Sequence, residues 1–430
     1  MVPTTKLIYL RIAFGAALLM IALSFGVMGT SFFIVPVTEA FGFERAAFTV
    51  NYSLITFTAL LTMPFIGRLV QRFGTRKPVF IGGIWAGLGY VGMSYSTTLP
   101  MFYLFGAMVG LVLFAVTNLM AIVVISLWFE KLRGLATGAV LACTGVGSVI
   151  LGYTLPNFIE EYGWESGYLL VGAVVAGMCV VSAVFFLKDK PSDVGLLPYG
   201  ADPGTDRDNG QVDVAYGVPY RAAVRSKEFV LLWLSIVLFM IATSDTEHLP
   251  AYFVGIGLEP RSAGTLMSIF GFALIILNSF AGFAADRFGV VVTMIAMLAS
   301  GSAGWVLLLT SGTSYSLLAL AVVLHTFAVS VGVLPALMTH RAFGQRDFPG
   351  IMGLMLTAGT VGLAIGAPVW GLVYDIWGGY SRGFYFAPIV YALAVVCVAV
   401  ALRGARKKWG IQKPRSAVAA MKGDLDPTGA

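Results

Sequence analysis

The sequence predicts an all-α membrane protein, with twelve transmembrane helices in two pseudo-symmetric six-helix bundles around a central cavity. Three observations predict it. Of 430 residues, 58% are hydrophobic and only 11% are charged, against roughly 25% charged in ordinary soluble domains. Charge-free intervals long enough to cross a bilayer, about 20 residues each, recur in both halves of the chain. Short motifs of the first half also return in the second at a nearly constant offset. A water-soluble fold cannot hide this much apolar surface, which excludes a soluble enzyme, a disordered chain and a secreted disulfide scaffold.

The spans follow in order from the positions of the charges. The first half holds charge-free intervals 12–38, 46–67, 78–129, 134–159 and 166–187. The third carries a polar hairpin from Ser94 to Pro100 and so makes two helices. In the second half, one span begins at Phe229 and is interrupted by Asp245 and Glu247. Then come 262–285, a double interval 288–340 with a hairpin near Thr310–Ser316, 348–374 and 383–402. Each half thus supplies six helices. The expected domains are bundles at 1–187 and 229–403, a solvated linker at 188–228 rich in Pro, Gly and Asp, and a polar tail at 404–430. The amino-terminal apolar run exceeds the 7–15 residues of a signal-peptide core, so it reads as the first helix.

Basic residues set the expected orientation. With both termini and the linker in the cytoplasm, 24 of the 27 Lys and Arg fall on cytoplasmic segments. Only Arg45, Arg261 and Arg382 remain outside. The basic composition therefore reports topology in a multi-pass protein of the cell membrane, with no call for nucleic acid. Cys143, Cys179 and Cys397 lie in apolar runs without CxxC spacing and read as small buried hydrophobes.

Two motifs repeat. Gly67-Arg-Leu-Val-Gln-Arg-Phe-Gly74 returns as Gly282-Phe-Ala-Ala-Asp-Arg-Phe-Gly289, and Tyr162-Gly-Trp-Glu-Ser-Gly-Tyr168 as Gly378-Gly-Tyr-Ser-Arg-Gly-Phe384. Parallel six-helix repeats with a binding site between them characterise one class of secondary transporter. At Gly67 to Lys77 the chain resembles the major facilitator superfamily, whose loop motif reads GxxxD(R/K)xGx(R/K)(R/K). Gly67, Arg68, Arg72, Gly74 and Arg76 fit it; Gln71 stands in place of the acid, while the second copy keeps Asp286 and Arg287. The resemblance implies that this motif latches the two halves. A narrower similarity, to the bacterial monocarboxylate and oxalate transporter group, rests on three segments. They are Trp128 to Gly138 with Gly145 and Gly147, His248-Leu-Pro-Ala-Tyr252 with Gly255 and Gly257, and Phe343-Gly344 with Gly350 and Gly353.

Ionisable groups inside a span are costly and mark functional candidates. Asp245 lies 16 residues after Phe229, about 24 Å along a helix, so past the midplane. Asp245 and His248 stand three apart and share a helix face, with Glu247 turned away from it. Such groups suit reversible proton loading; alternatively, the cluster sits hydrated at the outer mouth and ends the helix before Pro250. His325 is a further candidate for proton or solute, or else a packing residue. Asp375 reads as an interfacial or latch residue. Asn118 and Asn278 fall mid-span, and an amide there has four hydrogen-bonding valences to satisfy. Thr144, Thr357 and Thr360, and the phenols of Tyr52, Tyr153 and Tyr385, are weaker candidates for the cavity wall.

There is no GxSxG, P-loop or HExxH motif, so no enzyme, metal or cofactor is expected, and transport energy must come from a gradient. The resemblance implies a monomer that moves a small solute by alternating access with protons, an organic acid such as a monocarboxylate. It also implies a carboxylate-binding Arg in the eighth helix. Aligned on Gly282, that position is Asn278 here. The missing cation leaves two other readings open, a transporter of a neutral polar solute and a proton-driven exporter of a lipophilic or cationic compound.

Overall fold

The computed structural model of the protein describes residues 3–200, 217–344 and 346–410, leaving aside the side chains of residues 3–6, 63, 64, 66–69, 71, 133–135 and 349. Its helices cross back and forth twelve times. In chain order they are α1 (3–41), α2 (Arg45–Phe73), α3 (Arg76–Ser94), α4 (Leu99–Trp128), α5 (133–162) and α6 (164–186). The second half repeats the pattern with α7 (Lys227–Gly255), α8 (Pro260–Phe288), α9 (Val290–Thr310), α10 (Tyr315–Phe343), α11 (Phe348–Trp377) and α12 (Ser381–Trp409). Among the described residues, nine helical stretches are long and apolar enough to cross a membrane. One of these contains both α5 and α6, which part at Gly163, where φ is 83°. Only glycine adopts that conformation without a steric penalty. Large apolar side chains such as Phe65, Leu104, Phe272 and Phe283 point outward, as a lipid-facing surface requires. α12 runs past the charge-free interval to Trp409, with Arg406, Lys407 and Lys408 in its last turn, where cations complement the helix dipole.

Among the described residues, four helices are interrupted within their length, and α6 ends in a π turn at Ser182–Phe186. Tight 3-10 turns interrupt α1 at Gly29–Phe33, α7 at Ser244–His248 and α10 at Ser330–Val333, and a π-bulge interrupts α4 at Ala115–Leu119. The breaks begin at 29 and 244, and at 115 and 330. Both pairs are thus 215 apart, the offset of the first repeated motif. Proline accounts for two of them. Pro250 and Pro335 have no N–H for the carbonyls four residues back, at Thr246 and Val331. Those carbonyls instead accept from the nearer Leu249 and Leu334.

The linker ends are packed against the bundles. Tyr199 pairs with Phe129 in a parallel bridge, and Gly217 with Gly344 in an antiparallel one. Tyr9 Oη donates to Leu197 O at 2.6 Å. The face carrying these contacts and both ends of the described chain is the linker face; the opposite one is the far face.

Two seams of small residues join the halves. Along α5 and α8, a Cβ added at Gly145 would collide with Ile275 and Gly271, and one at Gly264 with Gly152 and Pro156. Ser268 Oγ donates to Val149 O at 2.9 Å across the same seam. Along α2 and α11, Gly371 abuts Ala46, Thr49 Oγ1 reaches Ala367 O at 3.4 Å, and Ser53 Oγ donates to Ala364 O. All these contacts lie at mid-helix or toward the far face. On the linker side, a Cβ at Gly138 of α5, Gly282 of α8 or Gly353 of α11 would meet nothing within 4 Å. Among the described residues, the close contacts between the bundles therefore gather toward the far face, and the cleft between them widens toward the linker face.

Candidate functional site

The 3-10 turn Ser244–His248 carries three of the predicted residues, and all are buried: Asp245 is 1% exposed, Glu247 9% and His248 1%. It is not a hydrated helix end, because the chain resumes as helix from Leu249 to Gly255. Each of the three side chains meets a different set of partners.

Asp245 points into the second bundle. Its Oδ2 accepts from Trp305 Nε1 of α9 at 2.6 Å, and its Oδ1 lies 3.4 Å from His325 Nε2 of α10. His325 Nε2 is also 3.0 Å from Thr246 Oγ1. Trp305 stacks on Tyr391 of α12 at 4.8 Å between centroids. Asp245 Oδ1, His325 Nδ1 and Tyr391 Oη lack hydrogen-bond partners among the described residues, so the cluster has unused hydrogen-bonding capacity. The structure thus unites Asp245 with His325, two candidates 80 positions apart in sequence. It does not unite Asp245 with His248, although the two stand three residues apart.

Glu247 crosses to the first bundle, where it lies within side-chain hydrogen-bond reach of the buried phenol of Tyr52 on α2. His248 turns to α11 and α12: its Nε2 is 2.8 Å from Ala367 O and its Nδ1 3.0 Å from Tyr380 Oη. Tyr380 Oη accepts from Arg45 Nη1 at 2.9 Å. The Arg45 guanidinium lies 3.6 Å from the centre of the Tyr374 ring. Asp375 accepts from the backbone N–H groups of Arg45 and Ala46 at 3.1 and 2.8 Å. It thereby caps α2 from the other bundle, a favourable place for a carboxylate.

Asn118 sits in the π-bulge of α4 and Asn278 on α8. Both are half-buried, and neither has a hydrogen-bond partner among the described residues. Asn278 follows Gly264 and Gly271 at heptad spacing, which drifts only about 20° around a helix per repeat. It therefore continues the α5-facing stripe to the point where the seam has parted.

The loop motifs act within each bundle. Asp189 accepts from Thr75 N and Arg76 N at 2.6 and 3.0 Å and so caps α3, while Arg76 Nε donates to Ala183 O at the end of α6 at 2.9 Å. Arg72 is exposed and Gly74 has φ 74°. In the second copy, Arg341 reaches Ala285 O at 2.9 Å and the exposed Asp286 at 3.9 Å; Arg287 is exposed. Gly67 lies within α2, and the side chains of Arg68 and Gln71 lie outside the described ones. No described contact of the motif joins the two halves. Where Gln71 lacks the acid, Asp189 brings one from the linker.

Reading the sequence alone missed Arg45, Tyr380, Trp305 and Asp189. Arg45 carried a signal, as one of three basic residues on the side opposite the other 24. Trp305 carried none.

Two repeated helical bundles, a cleft between them and buried ionisable side chains at helix breaks define a membrane-embedded secondary transporter, not an enzyme. The family model of the Major Facilitator Superfamily matches residues 16–260 and 249–423, and the chain belongs to that superfamily. It is 25% identical over 369 residues to monocarboxylate transporter 12 of Xenopus laevis, covering 82% of this chain and 80% of that one. It is 26% identical over 338 residues to monocarboxylate transporter 4 of Rattus norvegicus, covering 76% and 68%. Among solved structures, a bacterial homologue of the human lysosomal transporter Spinster aligns with a TM-score of 0.68 at 12% identity, covering 97% of this chain and 100% of that one. The nucleoside transporter NupG aligns with a TM-score of 0.67 at 13% identity, covering 93% and 99%.

Proposed function

We propose that the protein carries a small organic acid of the monocarboxylate class across the cell membrane by alternating access, together with protons. The relatives named above as monocarboxylate transporters support the solute class. The charge asymmetry supports cytoplasmic termini, which makes the linker face cytoplasmic and the far face external. The cleft parting toward the linker face then corresponds to an inward-open state.

The observation that carries proton coupling is the buried Asp245–His325 pair. Among the described residues no Lys or Arg is paired with it, and an isolated buried carboxylate is costly. A proton held by the pair removes that cost, and its release restores a charge that the closed bundle disfavours. Asn118 and Asn278 supply polar groups to the cleft without a cation. An acid that binds with a proton is neutral overall and needs none. The absent Arg also supports a second reading, a neutral polar solute.

Uptake by proteoliposomes decides between the two. An inward proton gradient should drive accumulation of a small monocarboxylate above its outside concentration, and the matching amide should not be concentrated. Accumulation of the amide, or uptake indifferent to the gradient, would overturn the acid–proton reading.

A further inference from the structure

At the far face, the chemistry of the groups sets the direction of each hydrogen bond that joins the bundles. A guanidinium only donates, so Arg45 Nη1 donates to Tyr380 Oη at 2.9 Å. A carbonyl only accepts, so His248 Nε2 carries the hydrogen it gives to Ala367 O at 2.8 Å. The remaining nitrogen of a neutral imidazole is an acceptor, and Tyr380 donates its hydroxyl hydrogen to Nδ1 at 3.0 Å. Arg45 comes from α2 of the first half; His248 and Ala367 come from α7 and α11, and Tyr380 is the residue immediately before α12. All three side chains of the relay are buried, with Arg45 8%, Tyr380 2% and His248 1% exposed.

We infer that Arg45, Tyr380 and His248 form the latch of the far-face gate, with neutral His248 as the positioning residue that aims the Tyr380 hydroxyl oxygen at Arg45. The inference rests on the alternating-access reading above. The charged and titratable groups around His248 are Arg45 of α2, Tyr374 and Asp375 of α11, Tyr380 just ahead of α12 and Glu247 of its own turn. A second proton on His248 would make Nδ1 a donor toward Tyr380, whose own hydrogen would then lose its acceptor, with Arg45 already donating to the same oxygen. The latch and the proton site therefore use different residues of one turn. His248 holds the gate, and Asp245 faces His325.

The test uses the full chain with Cys143, Cys179 and Cys397 replaced, carrying one reporter at a time. Ser31→Cys reports the far face, where Ser31 is buried beside a pocket of about 310 Å³ lined also by Pro36, Glu39, Pro156 and Pro250. Gly282→Cys reports the linker side, where a side chain meets open space. An impermeant thiol reagent is added from the matching side of oriented vesicles. Tyr380→Phe, which removes only the hydroxyl, should raise labelling at Ser31→Cys about tenfold, while labelling at Gly282→Cys falls by the fraction of molecules that leaves the inward-open state. Arg45→Gln breaks the relay at its other end and should shift both reporters the same way. Unchanged labelling in both variants overturns the inference. So does a rise at both reporters, because general loosening exposes both faces whereas a gate exchanges one for the other. Absence of proton-driven uptake by the native protein would count against the transport reading, whereas unmoved reporters in a native protein that does take up solute would overturn the latch alone.

Discussion

Replacing Asp245 by Asn removes one proton-binding group while leaving the geometry around it usable. The amide oxygen can take the place of Oδ2 and keep the 2.6 Å bond from Trp305. The amide nitrogen then faces His325 Nε2, 3.4 Å from the position it replaces. Exchanging a charge-assisted bond for a neutral one costs on the order of 1 kcal/mol, so the variant should fold. His325→Ala is the contrasting change. It strips the acid of its imidazole neighbour and Thr246 of its partner at 3.0 Å, and should cost about 3–5 kcal/mol, as for a buried pair broken on one side. For transport, one pH unit is worth 1.36 kcal/mol per proton. A carrier moving one proton per solute then concentrates its solute about tenfold across a unit gradient. Asp245→Asn should bring this to about onefold and leave equilibrium exchange of labelled solute largely intact, since exchange need not release the proton. Accumulation and exchange in proteoliposomes, with thermal unfolding of the same preparations, measure all three quantities. Accumulation that stays near tenfold would place the proton elsewhere. Parallel loss of accumulation and exchange would reduce Asp245 to a packing role.

Three further outcomes are expected. A single cysteine at the exposed Thr98 should react with an impermeant reagent outside intact cells, and one at the exposed Ser192 should resist it; labelling of Ser192→Cys from outside would invert the proposed topology. Asp189→Ala should lower stability by roughly 0.5–2 kcal/mol, the value of a lost helix cap. Thermal unfolding would show it, and an unchanged midpoint would deny the linker acid its capping role. Asn278→Arg should tighten binding of small carboxylates and weaken that of matched amides, through charge-assisted bonds at the parted seam. A thermal-shift ranking of acid and amide ligands identical to the native protein's would remove Asn278 from the selectivity site.

The helix count, the repeat and the segments that share a face of the bundle were legible in the sequence for a one-dimensional reason. A bilayer rejects charge along a continuous length of chain, so runs without Lys, Arg, Asp or Glu mark the spans wherever they pack. Even the buried acids of α7 were visible as an interruption in such a run. Which residues act together was not legible, because that depends on how each helix is rotated and on who its neighbours are. Asp245 and His248 share a turn yet serve different helices, whereas Asp245 and His325, 80 positions apart, lie at 3.4 Å. Arg45 looked like a loop charge until the start of α12 brought Tyr380 to it, and Asp189 like a linker charge until it capped α3. The loop motif, expected to clasp the two halves, has its described contacts inside each bundle, since the small-residue seams close at the opposite face. Composition alone determined what the chain must bury. The approach of backbones at Gly152 and Gly264, and the 3-10 turn ahead of Pro250, decided which buried groups meet, because hydrogen bonds act over about 3 Å and only packing sets distances that small.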